Sequence, residues 1–463
     1  MSRTDEQDEA SRTDDVRSSS VRNGRLPPGS GLGSTLGTAV ARLGQEVLDW
    51  RFKAVPAVFD GRTVDQVLSG RPRLSDFGTP LLTVDASAVA NNIREMSRWC
   101  DRYGLRLAPH GKTTMAPALF LAQLRAGAWG ITLANEPQLR VGRAFGLPRI
   151  LLAGSLLRPA GLRWLAEQQH DDHDFSFTSW VDSVASVELM TAAIPAGSAV
   201  DVCVELGAAG CRTGARGVAA AVEVARAAAA SPRLRLVGVS GYEGAVASGA
   251  EPNALSKVDH YLDDLARLSA AVQPMLDLTR VGAAILTVGG SAYFDRVAQR
   301  LAALADPAGS GGVPTEVVLR SGAYVIHDDG LYRAITPSTR TDGPALAPAM
   351  HAWARVVSRP EPRLALVDAG RRDLPFDQGM PEPQVRVRPG GRCTPLVDAH
   401  ISALNDQHAY VHLAAAGDVE VGDVLRLGLS HPCTAFDKWS LIPELTDADS
   451  LDPQVVGLLR TYF

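Results

Sequence analysis

From residue 105 to about residue 322 short apolar runs alternate with longer stretches of helical character: LRLAPH, GITLAN, RILLAG, FSFTS, DVCVEL, LRLVGVSGY, ILTVGGS and TEVVLRSG. Parallel strands need a crossover long enough to hold a helix, so this alternation predicts a parallel α/β sheet. Eight units within roughly 220 residues fit a closed (β/α)8 TIM-type barrel, with an open doubly wound sheet as the alternative. After about residue 340 the pattern changes to short alternating runs such as ARVVSRP, RLALVDAG, AYVHLAA and DVLRLGL, broken by GG, AGD and VGD turns. These predict a C-terminal all-β domain.

The expected organisation therefore has four parts. Residues 1–34, rich in Ser, Arg, Asp, Gly and Pro, have little to bury and are read as a disordered tail. A helical segment spans 35–77. The barrel occupies 78–338 and opens with the strand-like PLLTVD ahead of a helix carrying Val89, Ile93 and Met96. The β domain takes 339–463.

Composition excludes several classes of partner. A net charge of -5 gives no reason to expect nucleic acid. No apolar run approaches the ~18 residues of a membrane helix, and the N-terminus has no apolar signal core, so a cytoplasmic protein is expected. Five scattered cysteines without a CxxC pair do not form a disulfide framework.

The motif PHGKTT, residues 109–114, half resembles a nucleotide-binding loop. That loop needs a glycine where Arg106 stands, and Pro109 removes an amide that would face a phosphate. Of 46 basic residues only four are lysines: Lys53, Lys112, Lys257 and Lys438. A lysine kept behind an apolar run in so arginine-rich a chain suggests an amine that attacks carbonyls, against the alternative of a solvated surface amine.

Chemistry in such barrels sits at the C-terminal ends of the strands. There the sequence places His110 and Lys112, Cys211 and Arg212, Tyr242 and Glu243, then Gly289-Gly290-Ser291 and Gly322-Ala323-Tyr324. Loops after the seventh and eighth strands commonly hold phosphate through backbone N–H groups, although a glycine pair alone also marks a simple turn. Phosphate loops opposite a lysine at the first strand point to pyridoxal phosphate (PLP). In the β domain His431 and Cys433 are two apart, so in an extended segment imidazole and thiol share one face and suit Zn²⁺. A lone H-x-C also recurs by coincidence.

As an ordered set, TPLLTVD, P-H-x-K-T at Pro109–Thr113, RTG at Arg212–Gly214, TVGGS, RSGAYVIHD, ALNDQHA and SHPC resemble the D-serine dehydratase and D-threonine aldolase family over about residues 78–445. That family has an alanine-racemase-type barrel and a C-terminal β domain. The resemblance implies that Lys112 carries the cofactor as a Schiff base. Gly289, Gly290, Ser291, Gly322 and Tyr324 would hold its phosphate, with Arg212 and Tyr242 near its ring. His431 and Cys433 resemble the zinc ligands of the dehydratases, where the aldolases usually carry His-x-Asp, which favours elimination. Where many members read K-T-H-K, this chain has Lys112-Thr113-Thr114-Met115, as in a bacterial amino-acid deaminase branch. A homodimer is implied, the β domain of one chain closing the barrel of the other. The expected substrate is a 3-hydroxy D-amino acid such as D-serine. His408, in ALNDQHA, is a candidate for proton transfer, with a structural histidine as the alternative. Retro-aldol cleavage to glycine and an aldehyde, and a non-catalytic PLP carrier, are the rival readings.

Overall fold

The computed structural model describes residues 32–306, 308–388 and 392–463. The expected tail lies outside the described residues up to position 31, and a helix over Leu32–Arg42 opens the described chain. The helix buries Leu36, and the segment that follows buries Leu48, Phe52, Phe59 and Val67. It meets the end of the chain, where Glu46 pairs with Arg460 at 3.1 Å.

Strand β1 (Leu81–Asp85) is buried along its whole length. Its last residue starts a helix: the Asp85 carboxylate accepts from the Ala88 amide at 2.9 Å and caps Ala86–Arg102. That helix buries Val89, Ile93, Met96 and Cys100, spaced at three and four residues on one face.

All eight apolar runs form strands. They are β2 (Arg106–Leu107), β3 (Ile131–Leu133), β4 (Arg149–Leu152), β5 (Ser176–Val181) and β6 (Val200–Gly207). After the short β7 (Ala215–Arg216), which pairs with the end of β6, come β8 (Leu234–Gly241), β9 (Ala284–Val288) and β10 (Thr315–Leu319). They pair in parallel in the order β2-β10-β9-β8-β6-β5-β4-β3. The two ends meet, because Trp129 N–H donates to Leu107 O at 2.7 Å and Thr132 N–H to Pro109 O at 2.9 Å. The result is a closed (β/α)8 barrel. Ala108, Trp129, Leu151, Trp180, Cys203, Val237, Ile285 and Val318, one from each strand or its flank, pack together as its interior.

The C-terminal strands are β11 (Met350–Glu361), β12 (Leu364–Val367), β13 (Glu382–Arg388), β14 (Arg392–Pro395), β15 (His400–Leu404), β16 (Ala409–His412), β17 (Val424–Gly428), β18 (Leu441–Leu445) and β19 (Val455–Arg460). One path runs β14-β13-β17-β11-β1-β18-β19, and β12, β16 and β15 extend from β11. Thus β1, which precedes the barrel in sequence, is a strand of this sheet. It lies antiparallel to β11, with Leu81 opposite Trp353, and parallel to β18, with Val84 opposite Glu444. A strand buried on both faces reads as one apolar run, so its sequence does not reveal which sheet it joins. No helix among the described residues is long and apolar enough to cross a membrane.

Candidate active site

A cavity of about 240 Å³ opens at the C-terminal ends of the barrel strands. Its floor is the barrel and its rim is the segment around His431, so both domains contribute to it. His110, Lys112, Arg212, Tyr242, Gly289, Gly290, Ser291, Gly322, His431 and Cys433 all line it.

Lys112 lies in a 3₁₀ turn, Gly111–Thr113, directly after β2. Gly111 is required for this turn to lie against the barrel, since a Cβ there would come within 2.8 Å of the Phe120 ring. Burial holds the Lys112 ammonium below its ordinary pKa, and the guanidiniums of Arg212 and Arg320 act in the same direction while Cys433 opposes them. An amine kept partly neutral suits imine formation and proton abstraction. Burial, reinforced by Lys112, Arg320 and Arg212, also keeps His110 well below the usual imidazole range. Its Nδ1 is buried without a hydrogen-bond partner among the described residues.

Across the cavity His431 precedes the short helix Pro432–Phe436 with φ of 60°. Its backbone N–H donates to Asp328 Oδ2 at 2.9 Å, and its Nδ1 is 2.6 Å from Asp377 Oδ2. Asp377 also accepts from the Thr434 hydroxyl at 2.6 Å. Cys433 Sγ is 3.5 Å from Thr113 Oγ1, which joins the β domain to the lysine turn. Burial opposes the Cys433 thiolate, yet His431, Thr113 and Lys112 together bring the thiol below its ordinary pKa.

The donor set fits the groups expected from sequence. A carboxylate behind an imidazole, with a thiolate beside it, is the arrangement that orients a soft metal site. Among the described residues no cluster of three or more His, Cys, Asp or Glu side chains stands at metal-holding spacing, so two side chains would hold the ion. For an anion, Ser291 and Gly322 face the cavity from adjacent loops, and Ser291 Oγ accepts from Ala323 N–H at 3.1 Å. Gly322 leaves no room for a side chain, because a Cβ would lie 2.5 Å from the His110 carbonyl oxygen.

Three expectations need correction. Tyr324 does not face the cavity. It is 2% exposed, and its hydroxyl accepts from the Gln123 side chain at 3.1 Å behind the barrel wall. Consecutive residues of the 3₁₀ turn Ala323–Val325 splay about 120° apart, so Ala323 N–H can face the cavity while the Tyr324 ring points away. His408 is exposed in the turn between β15 and β16, its carbonyl accepting from Asn405 N–H at 2.8 Å, and it does not line the cavity. Third, the amides of Gly289 and Gly290 are occupied: they donate to Glu243 at 3.1 and 2.6 Å.

Sequence reasoning assigned no role to two residues now seen in the site, Arg320 and Asp377. Arg320 is buried beside Trp180, its guanidinium 5.5 Å from the ring centroid and donating to Thr287 Oγ1 at 2.8 Å. Its signal was a buried arginine inside RSGAY. Asp377 lies 54 residues from His431, and nothing in its own segment announces the contact. Arg212 is exposed at the rim, its guanidinium 5.2 Å from the Tyr242 ring centroid.

Comparison with known proteins gives this geometry a family. The family described as "Putative serine dehydratase domain" matches residues 349–444, which hold Asp377, His431 and Cys433. A D-threonine aldolase from Arthrobacter sp. is 28% identical over 369 residues, covering 79% of this chain and 88% of its own. The chain carries this domain, and its similarity to the D-threonine aldolases extends over most of its length. Among solved structures, D-threonine aldolase from Filomicrobium marinum matches with a TM-score of 0.70 at 23% identity, covering 84% of this chain and 96% of that one. A mutant D-threo-3-hydroxyaspartate dehydratase in its metal-free form matches with a TM-score of 0.64 at 22% identity, covering 84% and 99%. Both share the fold of this chain.

Proposed function

We propose that this chain is a PLP- and zinc-dependent lyase that eliminates water from a β-hydroxy D-amino acid, D-serine first, to give a keto acid and ammonia. The observation that carries the reading is the approach of Cys433 to the lysine turn, 3.5 Å from Thr113, within one cavity shared by both domains. His431 and Cys433 would hold a metal in the same cavity that Lys112 lines.

When bound, PLP supplies an electron sink that acidifies the substrate Cα–H, and zinc supplies a Lewis acid that eases departure of hydroxide, a poor leaving group. Lys112, its ammonium destabilised by burial, is the covalent anchor and, once free, the base that takes the Cα proton. His431, oriented by Asp377, and Cys433 would hold the metal. The Ser291 hydroxyl and the Gly322 backbone would take the phosphate. Arg212, exposed at the rim, is placed to meet the substrate carboxylate. The thiol in place of a carboxylate at 433 supports elimination over aldol cleavage. The D-threonine aldolase of Arthrobacter supports the second reading, cleavage to glycine and an aldehyde.

Incubation of the purified protein with D-serine and with D-threonine separates the two. A keto acid with ammonia is expected; glycine without ammonia sinks the elimination reading. A PLP carrier without turnover would give neither product, and the complete β domain with its His-x-Cys weighs against it. The implied homodimer is checked by light scattering.

A further inference from the structure

Glu243 has no part in the mechanism above, yet it is fully buried at the site. Its two carboxylate oxygens accept from the Gly289 and Gly290 amides at 3.1 and 2.6 Å, the donors that a glycine pair would otherwise offer to an anion. The glycines serve this contact. A Cβ on Gly290 would come within 2.9 Å of the Tyr242 ring and 3.5 Å of Glu243 Oε1, and Gly289 has a φ of +109°. On its far side the loop is tied to the next one, since the Ser321 hydroxyl donates to Gly290 O at 2.9 Å and Ala323 N–H donates to Ser291 Oγ at 3.1 Å. Burial pushes the Glu243 carboxyl above its ordinary pKa, while the Gly290 amide, Arg320 and the Gly289 amide act in the opposite direction. The loop is therefore fixed with its first two amides turned inward and Ser291 turned to the cavity.

We propose that Glu243 is a positioning residue for the cofactor phosphate: by holding the Gly289 and Gly290 amides it presents the Ser291 hydroxyl, whose oxygen accepts from Ala323 N–H, as the donor to the anion beside Gly322. This rests on the PLP reading. Glutamine at 243 cannot satisfy both amides, because its NH₂ group opposes one of the two N–H donors.

The test compares two ligands that differ only in the phosphate. Full-length, cofactor-free protein is titrated with PLP and with pyridoxal, following the visible imine band. Wild type is compared with Glu243→Gln and Ser291→Ala. Each variant is expected to raise the Kd for PLP about 10- to 100-fold, the scale of one charged hydrogen bond, while the Kd for pyridoxal stays within about 3-fold. A residue that merely stabilised the fold would weaken both ligands alike. Unchanged PLP affinity in Glu243→Gln, or equal loss for both ligands, overturns the proposal. Should Glu243→Gln not fold, Ser291→Ala decides: unchanged PLP affinity there overturns the proposal. No band with either ligand in wild type would instead sink the PLP reading itself.

Discussion

Asp328 ties the last barrel loop to the metal segment, and its replacement by Asn should disturb both. The buried carboxylate accepts three backbone N–H groups: Gly330 at 3.0 Å and Tyr332 at 2.8 Å on Oδ1, and His431 at 2.9 Å on Oδ2. The His431 contact matters most, because that residue sits at φ 60°, a left-handed conformation that costs a non-glycine residue about 1–2 kcal/mol and needs support from its surroundings. Asn keeps the volume and one acceptor. If its oxygen retains Gly330 and Tyr332, its NH₂ group faces the His431 N–H. One hydrogen bond worth about 1 kcal/mol is then lost, and a buried donor is left unsatisfied at a further 1–3 kcal/mol, so destabilisation of about 2–4 kcal/mol is expected. With His431 no longer fixed, zinc affinity should fall about 10- to 100-fold. Unfolding in urea measures the first effect and competition with a chromogenic chelator the second. An Asp328→Asn variant with wild-type stability and wild-type zinc affinity would refute the argument that this carboxylate places His431.

Other substitutions test separate parts of the structure. Cys433→Ala should abolish elimination from D-serine while leaving the visible cofactor band, since Lys112 and the phosphate loops are untouched; retained activity after this change and after chelation would remove the metal from the reaction. Tyr324→Phe should cost about 1 kcal/mol through its contact with Gln123 and leave PLP affinity unchanged, as measured by unfolding and by titration. Glu444 gives a pH signature: burial alone raises its carboxyl from 4.5 to about 7. The folded state therefore holds this proton more tightly than the unfolded one, so its contribution to stability is full below 4.5 and is lost as pH rises to about 7. That interval sets a ceiling of about 3 kcal/mol at 1.36 kcal/mol per pH unit, and partial solvent contact of the side chain brings the expectation to about 2. Glu444→Gln should recover this amount at pH 8 and nothing at pH 4 in unfolding curves; a pH-independent difference would contradict it.

The barrel was legible because each strand declares itself locally. A continuous apolar run between helical stretches is a property of a few neighbouring residues, and all eight runs from LRLAPH to TEVVLRSG became strands. The same local signal misleads for Leu81–Asp85. Burial on both faces gives a run like those of the barrel, while its partners, β11 and β18, lie more than 260 residues away in sequence. Lys112 and Ser291 were legible for a related reason, since each follows a barrel strand whose direction brings it to the cavity; His431 and Cys433 were expected in an extended segment, but Cys433 lies in the helix Pro432–Phe436 behind a left-handed His431.

What the sequence could not show is which way a side chain turns within a loop, and what reaches it from elsewhere. Tyr324 was placed beside the phosphate because its neighbour Gly322 is there, but a 3₁₀ turn sends adjacent residues to different sides, and Gln123 takes the hydroxyl. The Gly289-Gly290 pair shows the second gap. Its spacing is right for an anion, but what it meets is a carboxyl group of the chain's own, that of Glu243. Two glycines at the end of a barrel strand establish that something must approach the backbone closely; they do not say whether it is a ligand or a side chain from the preceding strand. That choice is made by a contact 46 residues apart, and it moves the expected phosphate contact along the loop to Ser291 and across to Gly322.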